Sequence, residues 1–406
     1  MSRRPSAVVQ NSVRQGWLFA RKPVVPLKTP QHKYTFYEFF AGGGMARAGL
    51  GKPWKCLFAN DFDFKKSAAY GKNWGGKDLV TKDVRDLTTA ELPGKPNLAW
   101  ASFPCQDLSL AGMGAGLRGD RSGTFWPFWK LVKKLKAEAR APEVLVLENV
   151  CGTLTSHGGE DFAAISSALA DANYRFGAVV IDAVSFVPQS RPRLFLIAVA
   201  EHMVIPDGLQ LGGPTPYWHT RALRAAYEHL RDKQRQNWIW WDIPVPECRR
   251  AGLRDLIEPN PVSVAWHSPE ETTRLLSMMS PVNLEKVKVA RRTKQVLVGT
   301  IYKRTRVDKS GSKIQRAEVR FDGIAGCLRT PAGGSSRQVI FIVSDDETRS
   351  RLISSREAAR LMGLPDQYQL PKNYNEAYHL VGDGVVVPVV RYLSNNLLEP
   401  ILAAQA

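Results

Sequence analysis

Three short stretches of this chain carry side chains able to do covalent chemistry. Ser102-Phe103-Pro104-Cys105-Gln106 places a thiol beside a rigidifying proline, directly after the apolar run Leu98–Ala101. A cysteine exposed at a strand end is a candidate nucleophile, whereas a lone buried cysteine is an inert small hydrophobe. Glu148-Asn149-Val150 follows Val144–Leu147 and sets a carboxylate at a second strand end, where it can hydrogen-bond a ligand or move a proton. Gln189-Ser190-Arg191-Pro192-Arg193 holds two guanidinium forks that point the same way if the segment is extended, so they can grip a phosphate or a base carbonyl. Paired arginines also form ordinary surface ion-pair patches.

A fourth stretch, Phe39-Phe40-Ala41-Gly42-Gly43-Gly44-Met45, runs from an apolar strand through a glycine turn into a helix. Such a turn lets backbone amides approach a cofactor closely and aims a helix N-terminus at it. The nicotinamide fingerprint Gly-x-Gly-x-x-Gly fails, because Arg47 stands where the third glycine would fall. Nineteen residues beyond Gly42 comes Asn60-Asp61, a carboxylate able to accept from both ribose hydroxyls of an adenosine-containing cofactor. Phe62 beside it can lie on the adenine. Asp61 can instead cap a helix that starts near Phe64.

These residues need a scaffold that brings strand ends together. Short apolar runs at Tyr34–Phe40, Trp54–Ala59, Leu98–Ser102, Val144–Leu147, Gly177–Asp182 and Leu194–Val199 alternate with helical periods at Met45–Leu50, Phe64–Tyr70, Phe125–Ala139 and Phe162–Ala172. That alternation predicts an α/β fold: a doubly wound, mostly parallel sheet whose neighbouring strand ends share one crevice. Cys105, Glu148 and the glycine turn are then expected to converge there. Residues 34–200 read as one α/β domain, and residues 1–33 as a basic arm with Arg3, Arg4, Arg14, Arg21, Lys22 and Lys28, either touching phosphates or simply solvated. Past Ala200 the pattern is irregular, with Trp238, Trp240 and Trp241 clustered. Ser354-x-x-Glu357 forms a capping box before a helix at Ala358–Met362.

With 406 residues, 44% apolar and 23% charged, the chain has ordinary globular composition, and small disulfide-stapled scaffolds and global disorder are excluded. Lys and Arg number 56 against 38 Asp and Glu, a net charge of +18 that seeks polyanions such as nucleic acids. Between Glu285 and Arg320 there are twelve Lys/Arg and three Asp/Glu, among them Arg291, Arg292, Lys303, Arg304 and Arg306. That density suits a nucleic-acid face and equally a charged solvated surface. Five widely spaced cysteines without a Cys-x-x-Cys pair fit a reducing cytoplasm, and no membrane segment or metal site is expected.

Taken in order, Phe40-Ala41-Gly42-Gly43-Gly44, Asn60-Asp61, Asp83-Val84, Phe103-Pro104-Cys105-Gln106, Arg121-Ser122-Gly123, Glu148-Asn149-Val150, Gln189-x-Arg191-x-Arg193, Arg356 to Gly363 and Gly382-Asp383-Gly384-Val385 resemble the DNA cytosine-5 methyltransferases. The resemblance covers about 270 residues. It implies S-adenosylmethionine as cofactor, duplex DNA as partner, a Rossmann-like catalytic domain (34–200 with 375–400) and a smaller target-recognition domain (201–372). It further implies that Cys105 adds to C6 of a flipped-out cytosine, Glu148 holds the exocyclic amine and N3, Arg193 holds O2, and Arg191 supports the loop or a phosphate, with Pro104 and Gln106 flanking the nucleophile. Phe40, Ala41, Gly42 and Gly44 would surround the methionine portion of the cofactor, Asp61 and Phe62 the ribose and adenine, and Asp83 with Val84 the adenine; Asp383 and Val385 complete that set. Arg118 and Arg121 would lie on a closing loop, and Gln189, the basic stretch and Arg329 would face DNA. A monomer is expected, since a flipped-base site needs no second subunit, and the resemblance implies an enzyme either paired with a restriction endonuclease or solitary.

Three departures stand out: Met45 where a further glycine is common, Glu38 where aspartate is usual, and Asp383 where asparagine is usual. An acceptor-only carboxylate at 383 adds negative charge near the cofactor's own carboxylate unless a basic neighbour compensates. Two other readings share these residues: a tRNA cytosine-5 methyltransferase, and a catalytically silent DNA-binding protein on the same scaffold.

Overall fold

The computed structural model describes residues 32–104, 122–249, 251–307, 311–330, 337–344 and 347–405. Seven strands form its main sheet: β1 (Tyr34–Phe39), β2 (Trp54–Asp61), β3 (Leu79–Thr81), β4 (Leu98–Ala101), β5 (Val144–Val150), β6 (Tyr174–Asp182) and β7 (Pro192–Ala200). Their order is β3-β2-β1-β4-β5-β7-β6. All neighbours are parallel except β7, which runs antiparallel to both β5 and β6. The central strands read as unbroken apolar runs because both faces are covered. Phe36 and Cys56 face one core, while Tyr37, Phe39 and Phe58 face the other.

Helices α1 (Met45–Leu50), α2 (Phe64–Trp74), α3 (Phe125–Ala137) and α4 (Glu160–Asp171) connect the strands where the periodicity predicts them. Asp63, not Asp61, caps α2, its Oδ1 accepting from the amides of Lys65 and Lys66. Residues 201–256, grouped by the sequence with the smaller unit, pack on the large sheet. They form α5 (Arg221–Glu228), α6 (Asp232–Gln236) and α7 (Leu253–Leu256), and the short pair β8 (Gln210–Leu211) and β9 (Trp240–Trp241). Met203, Ile205, Trp218, Ile239, Trp241 and Ile243 enter one core, and Leu223, Ala226 and Leu230 the other. The physical reason is the edge of β6: Asn237 and Ile239 exchange backbone bonds with Phe176, covering an edge that would otherwise stay open.

A third core belongs to an antiparallel sheet of order β11-β10-β12-β13. It comprises β10 (Leu297–Val307), β11 (Lys313–Arg320), β12 (Val339–Val343) and β13 (Thr348–Leu352), backed by α8 (Pro269–Ser277) and α9 (Pro281–Arg292). Beyond it the chain returns to the main sheet through α10 (Ser355–Leu361), α11 (Tyr374–Asp383), α12 (Val387–Leu393) and α13 (Glu399–Ala403). The predicted capping box opens α10: Ser354 Oγ accepts the Glu357 amide at 3.0 Å and Glu357 Oε2 accepts the Ser354 amide at 2.8 Å. Glu357 also forms a bidentate pair with Arg351, both side chains fully buried.

Candidate functional site

Strand order reverses between β1 and β4, so their carboxyl ends open the crevice in which a doubly wound sheet binds ligands. β1 delivers the glycine turn, β2 delivers Asp61, β4 delivers Pro104, and β5 delivers Glu148 and Asn149. Because β7 is reversed, its first residues lie at this same edge, with Arg193 paired to Val150. Cys105 and Gln106 follow Pro104 and lie outside the described residues, as do Arg118 and Arg121.

The cofactor side begins with Phe40 at φ +57°, a left-handed conformation that is costly for an aromatic residue and that breaks β1 sharply. Gly42 and Gly44 follow at φ +54° and +76°. A Cβ on Gly42 would meet nothing within 4 Å, so the turn is open at that point, whereas one on Gly44 would collide with Trp74. The Gly42 amide donates to Asp61 Oδ2 at 2.8 Å and the Asp63 amide to Oδ1 at 2.9 Å. Each carboxylate oxygen keeps a second lone pair for a ligand hydroxyl. Burial raises the Asp61 carboxyl from its ordinary range, partly opposed by Lys66. Phe62, 62% exposed, stands next to it. Asn60 donates to the Val80 and Lys82 carbonyls and so ties the segment that leads into Asp83 to the end of β2.

On the other side Glu148 and Arg193 meet, Arg193 Nε lying 3.4 Å from Glu148 Oε1, with both side chains mostly buried. Asn149 donates to the Phe103 carbonyl at 3.2 Å and ties the residue before Pro104 to the end of β5. A carboxylate, a guanidinium and the residue preceding a thiol therefore share one edge, beside a turn suited to an adenosine cofactor. A cleft of about 340 Å³ lined by Lys95, Lys136, Glu143 and Glu201 lies at the opposite edge and contains none of these groups.

The sequence model of the C-5 cytosine-specific DNA methylases matches residues 34–399. The chain belongs to this family. Among its relatives, the Type II methyltransferase M.BsuFI of Bacillus subtilis is 25% identical over 376 residues, covering 92% of this chain and 74% of that protein. M.HhaI of Haemophilus parahaemolyticus is 24% identical over 365 residues, covering 89% and 93%. The fold is shared with the Dnmt2 methyltransferase of S. pombe (TM-score 0.55, 18% identity, 90% and 98% covered) and with EhMeth of Entamoeba histolytica (TM-score 0.59, 14% identity, 93% and 100% covered). The protein is thus an enzyme, a DNA cytosine-5 methyltransferase. Among its described residues no helix is long and apolar enough to cross a membrane.

Four residues expected at or beside this methyltransferase's ligands are buried in the protein. Gln189, expected to face DNA, is fully buried: its Oε1 accepts the Leu328 amide and its Nε2 donates to the Leu361 carbonyl, leaving nothing for a base. Arg191, 2% exposed, donates to the carbonyls of Leu328, Gly382 and Gly384, so of its two expected roles it has the support of protein segments and is not presented to a phosphate. Val84 and Val385 turn their side chains into the two cores, because each lies in an otherwise apolar layer.

The basic stretch runs from the end of α9, which carries Arg291 and Arg292, into the small sheet. Arg304 and Arg306 sit on one face of β10 and share Glu318, with Nε contacts of 3.4 and 3.1 Å. Arg292 lies 3.7 Å from Glu285, and Arg291 donates to Thr348. Lys303 points to the other face of the same strand, and Arg329 is exposed beside the crevice.

One group, Cys327, escaped sequence reasoning, and a second, Glu38, was noted only as a departure from the family pattern. Cys327 Sγ lies 3.3 Å from Arg191 Nη1 and 3.9 Å from Arg193 Nη2. Burial pushes this thiol up, but Arg191, Arg193 and Arg329 outweigh it and bring it down to about 7. Its only sequence signal was its place two residues before Arg329. Glu38 accepts the amides of Ala46 and Arg47, capping an α1 whose own N-cap is Gly44. Burial, only partly offset by those amides and Arg47, pushes its carboxyl up to about 8.

This sets a pH dependence. Between the ordinary carboxyl value and about 8, the folded protein holds a proton on Glu38 that the unfolded chain has released, so this contribution to stability is lost as pH rises. The limiting slope is about 1.4 kcal/mol per pH unit. Glu38→Gln is expected to flatten the stability profile between pH 5.5 and 8 in urea unfolding. Parallel profiles for the two proteins would refute the assignment.

Proposed function

We propose that this enzyme transfers the methyl group of S-adenosylmethionine to C5 of a cytosine flipped out of duplex DNA, within a short specific sequence. The observation that carries the reading is the Glu148–Arg193 pair beside Pro104 at the crevice edge. Cytosine C5 is a poor nucleophile. Addition of the Cys105 thiolate at C6 makes C5 enamine-like, Glu148 hydrogen-bonds the exocyclic amine and N3, and Arg193 holds O2. When bound, S-adenosylmethionine supplies an electrophilic methyl on its sulfonium. Loss of the C5 proton to a base and elimination then free Cys105.

The residues fit that cofactor. Asp61 retains acceptor capacity, Gly42 leaves the turn open, and Phe62 offers an aromatic face. Flipping the base costs about a few kcal/mol, which phosphate contacts by the positive small-sheet surface would help to offset. Arg304 and Arg306 can exchange Glu318 for phosphate at small cost, since exposed ion pairs contribute little. We assign the protein to the bacterial cytoplasm, as a monomer that acts either alone or opposite a restriction endonuclease.

The test is transfer of labelled methyl to unmethylated DNA and to tRNA, followed by mapping of modified cytosines. Label at C5 within one motif in DNA is expected; label confined to tRNA would replace duplex DNA with RNA as the substrate. Asp61→Ala should weaken S-adenosylmethionine binding by about 10- to 100-fold while DNA affinity stays within about twofold. Equal loss of both would indicate a damaged fold instead.

A further inference from the structure

The negative charge at Asp383 is compensated by Lys66. Asp383 ends α11, and its Oδ2 accepts from Lys66 Nζ at 2.8 Å while Oδ1 accepts from Thr330 Oγ1 at 2.6 Å. Burial would raise the Asp383 carboxyl, but Lys66 and Thr330 outweigh it and hold it below its ordinary value. Lys66 lies in the first turn of α2, and its side chain is 22% exposed. Its charge acts on Asp61 as well as on Asp383. Asp61 accepts the Gly42 amide of the glycine turn, and Gly384, next to Asp383 in the chain, packs against Met45, which follows that turn. One ammonium therefore stands between the group assigned to ribose and the group at the methionine end.

An amino-acid moiety is a zwitterion, and a lysine–aspartate pair is its electrostatic complement. The ammonium has three donors and gives one to Asp383, and the Asp383 carboxylate has lone pairs beyond those taken by Lys66 and Thr330. We propose that Lys66 and Asp383 together recognise the amino-acid end of the cofactor, Lys66 binding its α-carboxylate and Asp383 its α-ammonium, in place of a single neutral amide. Lys66 is then a specificity residue for the methionine carboxylate. The proposal rests on the reading of the glycine turn as the S-adenosylmethionine site.

The experiment is calorimetric binding of S-adenosylhomocysteine and of decarboxylated S-adenosylmethionine, which lacks the α-carboxylate, to the full chain and its variants. The native protein should favour the carboxylate-bearing ligand. Lys66→Met should weaken S-adenosylhomocysteine by about 10- to 100-fold and the decarboxylated ligand by less than about threefold. It leaves Asp383 unbalanced beside an anion, so K66M/D383N should bind S-adenosylhomocysteine more tightly than K66M, and Lys66→Arg should retain the discrimination. Equal weakening of both ligands by K66M, or none, would overturn the role of Lys66 alone. Failure of the native protein to bind either ligand would remove the cofactor reading and this proposal together.

Discussion

Replacing Cys105 with serine is expected to lower methyl transfer to DNA by roughly 10⁴-fold or more, the scale of losing a covalent nucleophile. Everything else at the crevice would be left in place: Glu148 and Arg193 keep their contact, and Asp61 keeps the Gly42 amide. Binding of S-adenosylhomocysteine should therefore match the native protein within about twofold, which separates a chemical defect from unfolding. Duplexes carrying 5-fluorocytosine sharpen the test. Fluorine cannot depart from C5 as a proton does, so the adduct persists, and a denaturant-stable protein–DNA complex should form with the native protein and not with C105S. Turnover by C105S near the native rate would remove the nucleophile assignment.

The largest stability loss is expected at the buried pair Arg351–Glu357. The two groups meet through contacts of 2.6 and 2.8 Å and are 0% exposed. Glu357 also accepts the amides of Ser354 and Glu258, at 2.8 and 2.7 Å. Glu357→Ala leaves a buried guanidinium without its counter-charge and two amides without their acceptor, at a cost of about 3–5 kcal/mol. Arg351→Met with Glu357→Leu should be much less costly than Glu357→Ala, because no charge is then left unpaired. Urea unfolding of the two proteins measures the difference, and a loss below about 1 kcal/mol in Glu357→Ala would show the pair to be dispensable.

Much of this site was legible because the residues that do chemistry follow apolar strands directly in sequence. Pro104 after β4, Glu148 in β5 and Asp61 in β2 needed only the rule that parallel strand ends share a crevice. Burial was not legible where polar residues pair across the chain. Gln189 looks like a DNA-facing amide until its partners at Leu328 and Leu361 are seen, 139 and 172 residues away. Lys66 lies 317 residues from Asp383, so the need for a compensating cation was readable and its identity was not. Hydrophobic periodicity also carries no direction, so nothing in Leu194–Val199 announced a reversed strand. The tryptophans around residue 240 looked irregular because the strand they form, β9, is only two residues long and follows a segment that covers the edge of β6.

That reversed strand has a consequence for any attempt to transplant this chemistry. β7 is nine residues long and so spans about 30 Å. Were it parallel to its neighbours, Arg193 would enter at the far margin of the sheet, a strand's length from Glu148. Grafting the thiol, the carboxylate and the arginine onto an all-parallel nucleotide-binding scaffold would therefore yield an incomplete constellation. The minimal transferable unit includes the β6–β7 hairpin itself, whose turn carries Gln189 and Arg191 as the braces that orient the incoming strand.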